Sequence, residues 1–462
     1  MHIRDFAHKR AHCIGIGGSS MSGLAKLLQK EGYIVTGSDR DASHKTEELQ
    51  SAGIPVSIGH KAENVHGADV ILYSAAIAPD NPERAEATRL SIPQIERSVL
   101  LGQIMEGYPA SVGISGTHGK TTATAMLSQM LIECGIDPSV HIGGELDAIG
   151  GSTRLGAGDL FVCEACEFAR SFLQLRPTVA VILNINADHL DCYGDIEHIE
   201  QAFFEYTQNV PQGGWVIGCG DDARVRNILD KCGRKTRTFG MSPYNDLRPD
   251  PVSFDEEGRA HFTATLYGHP LCEIELRVPG KHNLIDALAA LACATVLEVP
   301  MQAAAESLGR FTGAHRRFEK TGTIDGAELF TDYGHTPEEI QSALSVAKLR
   351  AKGRVIAVWQ PHTYSRTKTL YEGFLGCFED ADAVLITDIM GAREKDPGDI
   401  KSEMLVNDLT KRGKEVYLTP TFDDAEKFLR GYWKEGDLMI THGCGNIHLL
   451  NEQIHRHGDT KR

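Results

Sequence analysis

A glycine-rich loop between an apolar segment and a helical pattern constrains the fold of this chain more than any other feature. Residues 115–121 read SGTHGKT; they follow an apolar run that ends at Ile114 and precede a helical pattern over 122–134. A strand, a glycine loop and a helix together hold nucleotide phosphates, because the loop and the helix N-terminus direct N–H donors at an anion. Lys120 adds positive charge, and the Thr121 hydroxyl can ligate Mg²⁺. The standard P-loop has its first glycine where Ile114 stands, so a purely structural glycine turn is the alternative.

Length, charge and cysteine usage limit the number of domains and the kinds of ligand. The chain has 462 residues, and this length predicts roughly three domains. Its formal net charge of −16 disfavours non-specific binding to nucleic acid or to an anionic membrane, because both need basic surfaces. The amino terminus lacks the apolar core of a signal peptide, and the longest apolar stretches are shorter than a bilayer span. The 11 cysteines follow no repeating framework, which indicates reduced thiols, so we expect a cytoplasmic protein with no nucleic-acid or membrane partner.

Strand-like and helix-like segments alternate in three successive blocks. The predicted parallel strands cover residues 12–16, 33–37, 56–59, 69–74, 111–115, 159–164, 179–184, 215–217, 354–359, 383–388, 415–418 and 437–441. This alternation predicts parallel sheets with right-handed crossovers. In the second block, residues 255–278 alternate between apolar and polar, which predicts a small antiparallel sheet, and a helix follows over 283–296. The predicted fold class is α/β in three domains: a Rossmann-like domain (1–107), a P-loop-type central domain (108–313) and a second Rossmann-like domain (314–462).

The turn after the first predicted strand carries most of a dinucleotide-binding fingerprint. Gly15, Gly17 and Gly18 follow the strand, but Ser20 stands where the fingerprint has its third glycine. Asp39 ends the second strand, where an acid that binds a ribose is expected. The pattern favours a nucleotide diphosphate other than NAD, with NAD and a structural turn as alternatives.

Polar residues follow two strands of the second block. Glu164 ends an apolar strand, from which a carboxylate can reach Mg²⁺ bound to phosphates; the alternative is a rim carboxylate paired with Arg170. His189 lies in a polar run after the next strand. This run is equally compatible with a contact to a second cation or a phosphate and with an Asx-rich turn. The other polar members of this run are Asn184, Asn186, Asp188 and Asp191. Cys163 and Cys166 form a CxxC pair, interpreted as small buried hydrophobes rather than a zinc or redox site.

Histidine and arginine residues lie at further segment ends. His282 and Asn283 precede the 283–296 helix, where an asparagine caps the helix or faces a base. In the third block, His335 can orient or deprotonate an amine, because imidazole titrates near neutrality. Arg366 suits a carboxylate or an acyl phosphate through its planar fork. Taken singly, each of these residues is more often a helix cap or a surface charge.

Taken together, these motifs and their order resemble the Mur ligase family over the whole chain. The segments that carry the resemblance are residues 15–23, 37–39, 73–77, 116–121, 164–167, 186–191, 280–283, 316–318, 332–335 and 360–362. The resemblance implies an ATP-dependent amide ligase of peptidoglycan precursor synthesis that joins L-alanine to the carboxylate of UDP-N-acetylmuramate through an acyl phosphate. A ligase that joins a whole tripeptide to the same UDP-sugar, and a non-catalytic UDP-sugar or ATP sensor with this fold, are the alternatives.

The resemblance also implies roles for individual residues. The UDP-sugar would contact Gly15, Gly17, Gly18, Ser19, Asp39, Ser74 and Ala75. ATP would contact Gly116, Thr117, His118, Gly119, Lys120, Thr121, Thr122, His282, Asn283, Arg317 and Asp332. Two Mg²⁺ ions, for which Mn²⁺ can substitute, would be held by Thr121, Glu164 and His189. L-alanine would lie among Tyr333, His335 and Arg366, and the residues expected to act in catalysis are Lys120, Glu164, His189, His335 and Arg366. The expected assembly is a monomer or a homodimer.

Four positions depart from the family pattern. Ser20 replaces a glycine of the first turn, and Asp286 stands where the family has a second asparagine near the adenine, so an adenine contact there is not assumed. Thr336 replaces the second histidine of a His-His-Pro motif. Thr363 stands where some members have arginine, which shifts the expected anion contact towards Arg366.

Overall fold

The structure is a computed structural model that describes residues 1–392 and 394–459. Three sheets with helices packed on them form its framework, which confirms the predicted α/β class. Within the described residues, no helix is long and apolar enough to cross a bilayer.

The first sheet is entirely parallel. Its strands are β1 (Arg10–Ile14), β2 (Ile34–Asp39), β3 (Val56–Ile58), β4 (Val70–Tyr73) and β5 (Gln94–Glu96). Its helices are α1 (Ser19–Lys30), α2 (His44–Ser51), α3 (Pro82–Arg89) and α4 (Arg97–Met105), with short 3₁₀ turns at Ile3–Phe6 and Ala62–Val65. The strand order is β3-β2-β1-β4-β5. The order reverses beside β1, so the glycine turn that follows β1 lies at the switch point where open α/β sheets bind ligands.

The second sheet has ten strands and surrounds the glycine loop identified above. Its strands are β6 (Ala110–Ser115), β7 (Ser139–Leu146), β8 (Gly151–Arg154), β9 (Leu160–Glu164), β10 (Val179–Ile182), β11 (Trp215–Cys219), β12 (Lys235–Phe239), β13 (Leu247–Phe254), β14 (Arg259–Leu266) and β15 (His269–Pro279). Its helices are α5 (Lys120–Glu133), α6 (Leu190–Tyr193), α7 (Ile196–Gln208), α8 (Ala223–Lys231), α9 (Lys281–Val296) and α10 (Met301–Arg310), with 3₁₀ segments at Asp147–Ile149 and Phe168–Gln174.

Strand order in the second sheet places β6 between β10 and β9. The full order is β15-β14-β13-β12-β11-β10-β6-β9-β7-β8. The strands from β12 to β7 pair in parallel, and β8 pairs antiparallel to β7. The region predicted as a small antiparallel sheet, residues 255–278, falls in strands β13, β14 and β15. These strands lie in the same ten-stranded sheet and are joined to β12 through the parallel pair Phe239 and Leu247.

The third sheet is parallel except at one edge. Its strands are β16 (Glu319–Ile324), β17 (Ala327–Asp332), β18 (Val355–Trp359), β19 (Ala383–Ile386), β20 (Val416–Leu418) and β21 (Leu438–His442). Its helices are α11 (Pro337–Arg350), α12 (Tyr364–Thr369), α13 (Tyr371–Phe374), α14 (Ser402–Lys411), α15 (Phe422–Tyr432) and α16 (His448–Asp459). The order is β16-β17-β21-β18-β19-β20, and only β16 runs antiparallel to its neighbour among these strands. Trp359 is buried beside Phe374 and Phe378, and this aromatic cluster anchors the helices on one face.

Contacts divide the chain into two compact units. The first consists of Met1–Pro251, Phe262–Ile274 and Ile285–Phe311, and the second of Val252–His261, Glu275–Leu284 and the chain from Thr312 on. The first unit therefore contains the whole first sheet and the glycine loop, and the second contains the whole third sheet.

Candidate active site

The glycine loop after β6 has the backbone geometry of an anion-binding turn. Helix α5 begins at Lys120, directly after Gly119, which has a left-handed backbone (φ 84°), and Gly116 also has positive φ (146°). The Asn184 side chain braces the loop: its Oδ1 accepts from the His118 N–H (2.9 Å) and its amide donates to the His118 carbonyl (3.1 Å). The loop therefore presents the N-terminus of a 14-residue helix in a fixed conformation.

The ammonium group of Lys120 lies at the mouth of this loop. Its Nζ donates to the carbonyls of Gly116 (2.6 Å) and Thr117 (2.9 Å) and to Glu167 Oε1 (3.0 Å). Burial alone would lower the pKa of Lys120, but the negative charge of Glu167, with a smaller contribution from Glu164, raises this pKa above its ordinary value. The side chain is therefore a permanent cation, held by groups that a phosphate could replace.

Thr121 and Glu164 come together beside the loop, as predicted from their strand-end and helix-start positions. Glu164 Oε2 accepts from Thr121 Oγ1 (2.9 Å) and from the Gly143 N–H (2.9 Å). The alternative pairing of Glu164 with Arg170 is wrong, because Arg170 pairs with Glu205 instead. A hydroxyl and a carboxylate oxygen are hard ligands that suit Mg²⁺. In the described part of the chain, no three His, Cys, Asp or Glu side chains gather as a metal site, so an ion here would also need phosphate or water oxygens.

His189 lies close to the carboxylate that holds Lys120. Its Nε2 is 3.8 Å from Glu167 Oε1 and 3.5 Å from Asp188 Oδ2, and its N–H donates to Asp188 Oδ1 (2.7 Å). His189 has positive φ (53°), a conformation that costs free energy for a non-glycine residue and is concentrated at functional sites. The Asp191 side chain lies outside the described residues.

Two acidic residues of this site carry no assigned role in the sequence-based prediction. Glu167 holds Lys120, and the sequence signal was its place at the end of the 164–167 motif. Asp286 is buried, and a Cβ built on Gly119 would clash with its carboxylate, so Asp286 packs against the glycine loop. The signal for Asp286 was its spacing of three residues from Asn283, which places both on one side of helix α9.

The turn after β1 is closed by the acid that ends β2. Asp39 Oδ2 accepts from the Gly17 N–H (2.8 Å), and the Gly15 carbonyl accepts from the Gly18 N–H (3.2 Å). Gly15 has positive φ (74°), which favours glycine at this position. The adjacent strand β4 ends at the same sheet edge, where it is followed by Ser74 and Ala75. The residues predicted for the UDP-sugar are thus gathered at one edge of the first sheet.

In the second unit, Asp332 organises the segment that follows β17. Its Oδ1 accepts from the Gly334 N–H (2.7 Å), and its Oδ2 accepts from the Phe318 N–H (2.9 Å). Between these anchors, the Tyr333 ring lies 4.9 Å from the guanidinium carbon of Arg317. The predicted nucleotide contacts Arg317 and Asp332 therefore belong to the same structural cluster as Tyr333.

His335 and Thr336 form the start of helix α11. His335 Nδ1 lies 3.2 Å from Glu339 Oε2 and 3.2 Å from the Tyr333 carbonyl. Both neighbours accept hydrogen bonds, so Nδ1 carries a proton. Thr336 is the N-cap of α11 and forms a capping box with Glu339, which explains a threonine where the family pattern has histidine.

Arg366 and Thr363 begin helix α12. Arg366 Nη1 lies 3.3 Å from His362 Nδ1. Thr363 is buried and caps the helix by accepting from the Arg366 N–H (3.4 Å), with positive φ (62°). The Thr363 side chain is therefore used to cap helix α12, and Arg366 provides the positive charge at the start of this helix.

The start of helix α9 differs from the interpretation of Asn283 as its cap. The helix begins at Lys281, so Asn283 lies inside its first turn and the capping interpretation is wrong. The Asn283 amide donates to the Pro279 carbonyl (2.6 Å), and His282 Nδ1 lies 2.9 Å from Ser342 Oγ. Contact of these two residues with an adenine stays a prediction.

Comparisons with known proteins agree along the whole chain. Family models described as "Mur ligase family, catalytic domain", "Mur ligase middle domain" and "Mur ligase, glutamate ligase domain" match residues 10–109, 114–294 and 316–445. A UDP-N-acetylmuramate–L-alanine ligase from Acetivibrio thermocellus is 44% identical over 447 residues, which covers 96% of this chain and 95% of that protein.

Solved structures show the same similarity. The crystal structure of a UDP-N-acetylmuramate-alanine ligase from Thermotoga maritima superposes with a TM-score of 0.85 at 26% identity, covering 98% of this chain and 100% of that one. A murein peptide ligase from Psychrobacter arcticus has a TM-score of 0.75 at 22% identity and covers 97% of this chain and 98% of its own, a similarity of fold alone.

Proposed function

Because the chain belongs to the Mur ligase family, we propose that its three sheets divide one reaction among them: the ATP-dependent joining of L-alanine to the carboxylate of UDP-N-acetylmuramate. The protein is an acid–amino-acid ligase of peptidoglycan precursor synthesis. In this proposal, residues 1–107 bind the UDP-sugar, residues 108–313 bind ATP, and residues 314–462 bind the amino acid. The single observation that carries the site is the grouping of Lys120, Thr121 and Glu164 at the start of helix α5.

The central sheet would activate the sugar acid. A carboxylate is a poor acyl donor, so ATP phosphorylates it to an acyl phosphate before the amine attacks. This step brings two anions together, and Lys120 with the N-terminus of α5 offsets their repulsion. Thr121 and Glu164 would hold one Mg²⁺ and His189 a second; when bound, these ions neutralise phosphate charge. His282 and Asn283 would contact the adenine, and Arg317 and Asp332 the nucleotide.

The first sheet would hold the UDP-sugar by its diphosphate. The N-terminus of α1 at Ser19 suits an anion, and the glycines at 15, 17 and 18 have no side chains that would keep a diphosphate from the turn. Asp39 keeps this turn closed through the Gly17 N–H, so its contribution to binding includes the shape of the turn. Ser74 and Ala75 would line the uridine.

The third sheet would deliver the amino acid. Arg366 would bind the L-alanine carboxylate through its guanidinium. In its neutral form, His335 would accept a proton from the amine through Nε2, because Nδ1 already bonds to its acceptor neighbours. Tyr333 would line the amino-acid site together with His335 and Arg366. The amine then attacks the acyl carbon, and phosphate leaves.

The substrates also suggest where the protein works. ATP and nucleotide sugars are made in the cytoplasm, so we place the reaction there. Whether the chain acts as a monomer or as a homodimer can be measured by light scattering at assay concentrations.

A steady-state assay with the purified protein tests the proposed function. ATP, Mg²⁺, UDP-N-acetylmuramate and L-alanine should yield a new amide, ADP and phosphate, with phosphate release dependent on both the sugar acid and the amino acid. With ¹⁸O in the sugar carboxylate, one label should appear in the released phosphate. A tripeptide that replaces L-alanine with equal or better efficiency would indicate the recycling ligase instead, and ATP hydrolysis that ignores both substrates would contradict the ligase assignment.

A further inference from the structure

We infer that strand β7 couples two sites: the glycine turn at residues 15–18, proposed to bind the UDP-sugar, and the proposed metal-binding pair of the ATP site, Thr121 and Glu164. His141 is the positioning residue through which β7 does so. This inference rests on the proposed function for the identity of the two sites. Every residue in it lies within Met1–Pro251 of the first unit. Nothing in the sequence pattern singled out His141.

On strand β7, His141 is bonded to the residue that follows the glycine turn. Its Nε2 lies 2.8 Å from Ser20 Oγ and its Nδ1 lies 2.8 Å from Thr153 Oγ1 on β8, and the side chain is 3% exposed. Ser20 is the second residue of helix α1, directly after the turn predicted to bind the diphosphate. A hydroxyl at this position, where the family pattern has glycine, provides the link.

The two hydroxyl partners suit a neutral His141 ring. In a neutral ring one nitrogen donates and the other accepts, and the hydroxyls of Ser20 and Thr153 can serve either tautomer. Arg97 Nη1 also donates to Ser20 Oγ (3.1 Å). Burial, with a smaller contribution from Arg97, lowers the pKa of His141 to about 3, which keeps the ring neutral at neutral pH.

Two further contacts join the same turn to the β7–β8 hairpin. Ser152 Oγ donates to the Ser19 carbonyl (3.1 Å). Lys45 Nζ donates to Ser19 Oγ (3.1 Å) and pairs with Glu145 Oε1 (3.0 Å) at the end of β7. The turn is therefore connected to both strands of the hairpin, which limits its movement relative to β7.

Between His141 and Glu145, β7 lies against the metal-binding pair, Thr121 and Glu164. The Gly143 N–H donates to Glu164 Oε2 (2.9 Å), and a Cβ built on Gly143 would lie 2.9 Å from that oxygen. A Cβ built on Gly144 would lie 2.8 Å from Thr121 Cγ2. Both positions thus need glycine for the backbone to approach this closely. His141 and Gly143 are two residues apart, roughly 6.6 Å along a strand.

This arrangement matters because phosphoryl transfer requires the sugar carboxylate to meet the nucleotide in line. An error of about 1 Å in such an approach can cost 100-fold in rate. In the proposed function, the turn holds the sugar and the loop before α5 holds the nucleotide. Strand β7 contacts Ser20 beside the turn and Thr121 and Glu164 beside the loop. His141 therefore sets the separation of the two sites without touching either ligand.

Replacing His141 tests the coupling in the full-length protein. His141→Leu keeps the volume and removes both bonds, whereas His141→Gln keeps one donor and one acceptor. We expect His141→Leu to lower kcat by about 10- to 100-fold with the KM for L-alanine changed less than twofold, because the amino acid uses another sheet. His141→Gln should recover most of the loss, and acyl phosphate formation, trapped with hydroxylamine, should slow in parallel with kcat.

Ser20 provides the matched partner variant. Ser20→Gly removes the same bond from the other side, so it should lower kcat to a similar extent, and the Ser20→Gly/His141→Leu double variant should be no slower than the slower single variant. Tyr33→Phe is the control, since it removes a buried hydrogen bond to the Ile3 carbonyl in the first sheet without touching the turn. It should reduce the melting temperature and leave kcat unchanged.

Calorimetry separates this inference from the proposed reaction. The Kd of UDP-N-acetylmuramate, measured with and without Mg²⁺ and a non-hydrolysable ATP analogue, should change at least fivefold in the wild type and less than twofold in His141→Leu. An unchanged kcat in His141→Leu, a loss that His141→Gln does not recover, or equal coupling in both proteins would overturn the inference. A wild type that binds both ligands but forms no amide would instead contradict the proposed function.

Discussion

The ammonium of Lys120 and the carboxylate of Glu167 illustrate how single residues prepare this site. Lys120 is held by Glu167 and two carbonyls, so a phosphate that enters the loop exchanges one set of oxygen acceptors for another. The role of the lysine could be predicted from its motif, because Lys-Thr after a glycine loop at a helix start is typical of phosphate binding. Its carboxylate partner could not, because Glu167 lies on a different segment and reaches Lys120 only when β9 lies beside β6.

Replacing Lys120 tests its role in turnover. Lys120→Ala should lower kcat by about 1,000-fold, since it removes a charge that opposes the repulsion between two anions. Binding of UDP-N-acetylmuramate should stay within twofold, because that ligand uses the first sheet. Lys30→Ala, at an exposed lysine, is the control. Comparable turnover in Lys120→Ala would remove this residue from the mechanism.

The neutral state of His141 has a consequence for acid stability. The pKa of His141 is lowered to about 3 by burial and Arg97, whereas a histidine in an unfolded chain titrates near 6.5. Between these values the unfolded state binds one more proton, so the unfolding free energy should fall as pH drops below about 6.5, by about 1.4 kcal/mol per pH unit.

Histidine NMR checks this prediction directly. The ring resonances of His141, assigned by their absence in His141→Gln, should not shift between pH 7.5 and pH 5. Titration of His141 with a midpoint above about pH 5 would contradict the assigned neutral ring.

At the scale of elements, strands buried on both faces were the easiest to predict. β6 and β10 are buried along almost their whole length and are followed by polar residues, so both the strands and the chemistry after them could be predicted. β7 was not predicted, because its Gly143-Gly144 pair breaks the apolar pattern. The same glycine pair lets the β7 backbone approach Glu164 and Thr121. The residues that obscure the strand pattern in the sequence are therefore those that allow this close contact.

Gly143 provides a test of this close approach. Gly143→Ala would place a methyl group 2.9 Å from Glu164 Oε2, which should displace the carboxylate and raise the Mg²⁺ concentration needed for half-maximal activity by about 10-fold. Gly213→Ala is the matched control, because a Cβ there has no neighbour within 4 Å. An unchanged Mg²⁺ dependence in Gly143→Ala would show that Glu164 tolerates the shift or does not hold the ion.

At the scale of the whole molecule, three sheets each carry polar residues at strand ends, and each set matches one proposed ligand. The UDP-sugar residues follow β1 and β4, the phosphate residues follow β6 and β9, and the amino-acid residues follow β17 and β18. This division predicts that variants in different sheets impair different substrates.

Arg366 tests this division in the third sheet. Arg366→Ala should raise the KM for L-alanine by at least about 10-fold, because the carboxylate loses its charged partner, with the affinities for ATP and UDP-N-acetylmuramate unchanged. Lys368→Ala, on the same helix and paired at the surface with Asp399, is the control. If all three substrates weaken together, Arg366 supports the structure rather than the amino acid.

The sequence by itself determined the three α/β blocks, the family and most of the residues at strand ends, because hydrophobic periodicity and short motifs are local properties of a chain. Only the tertiary structure decided which of these residues meet. Ser20 and His141 are 121 positions apart, and Thr121 and Glu164 are 43 apart. Such pairs depend on strand order and on close backbone approach, which local patterns do not encode, so the coupling through β7 became visible only once the sheets were assembled.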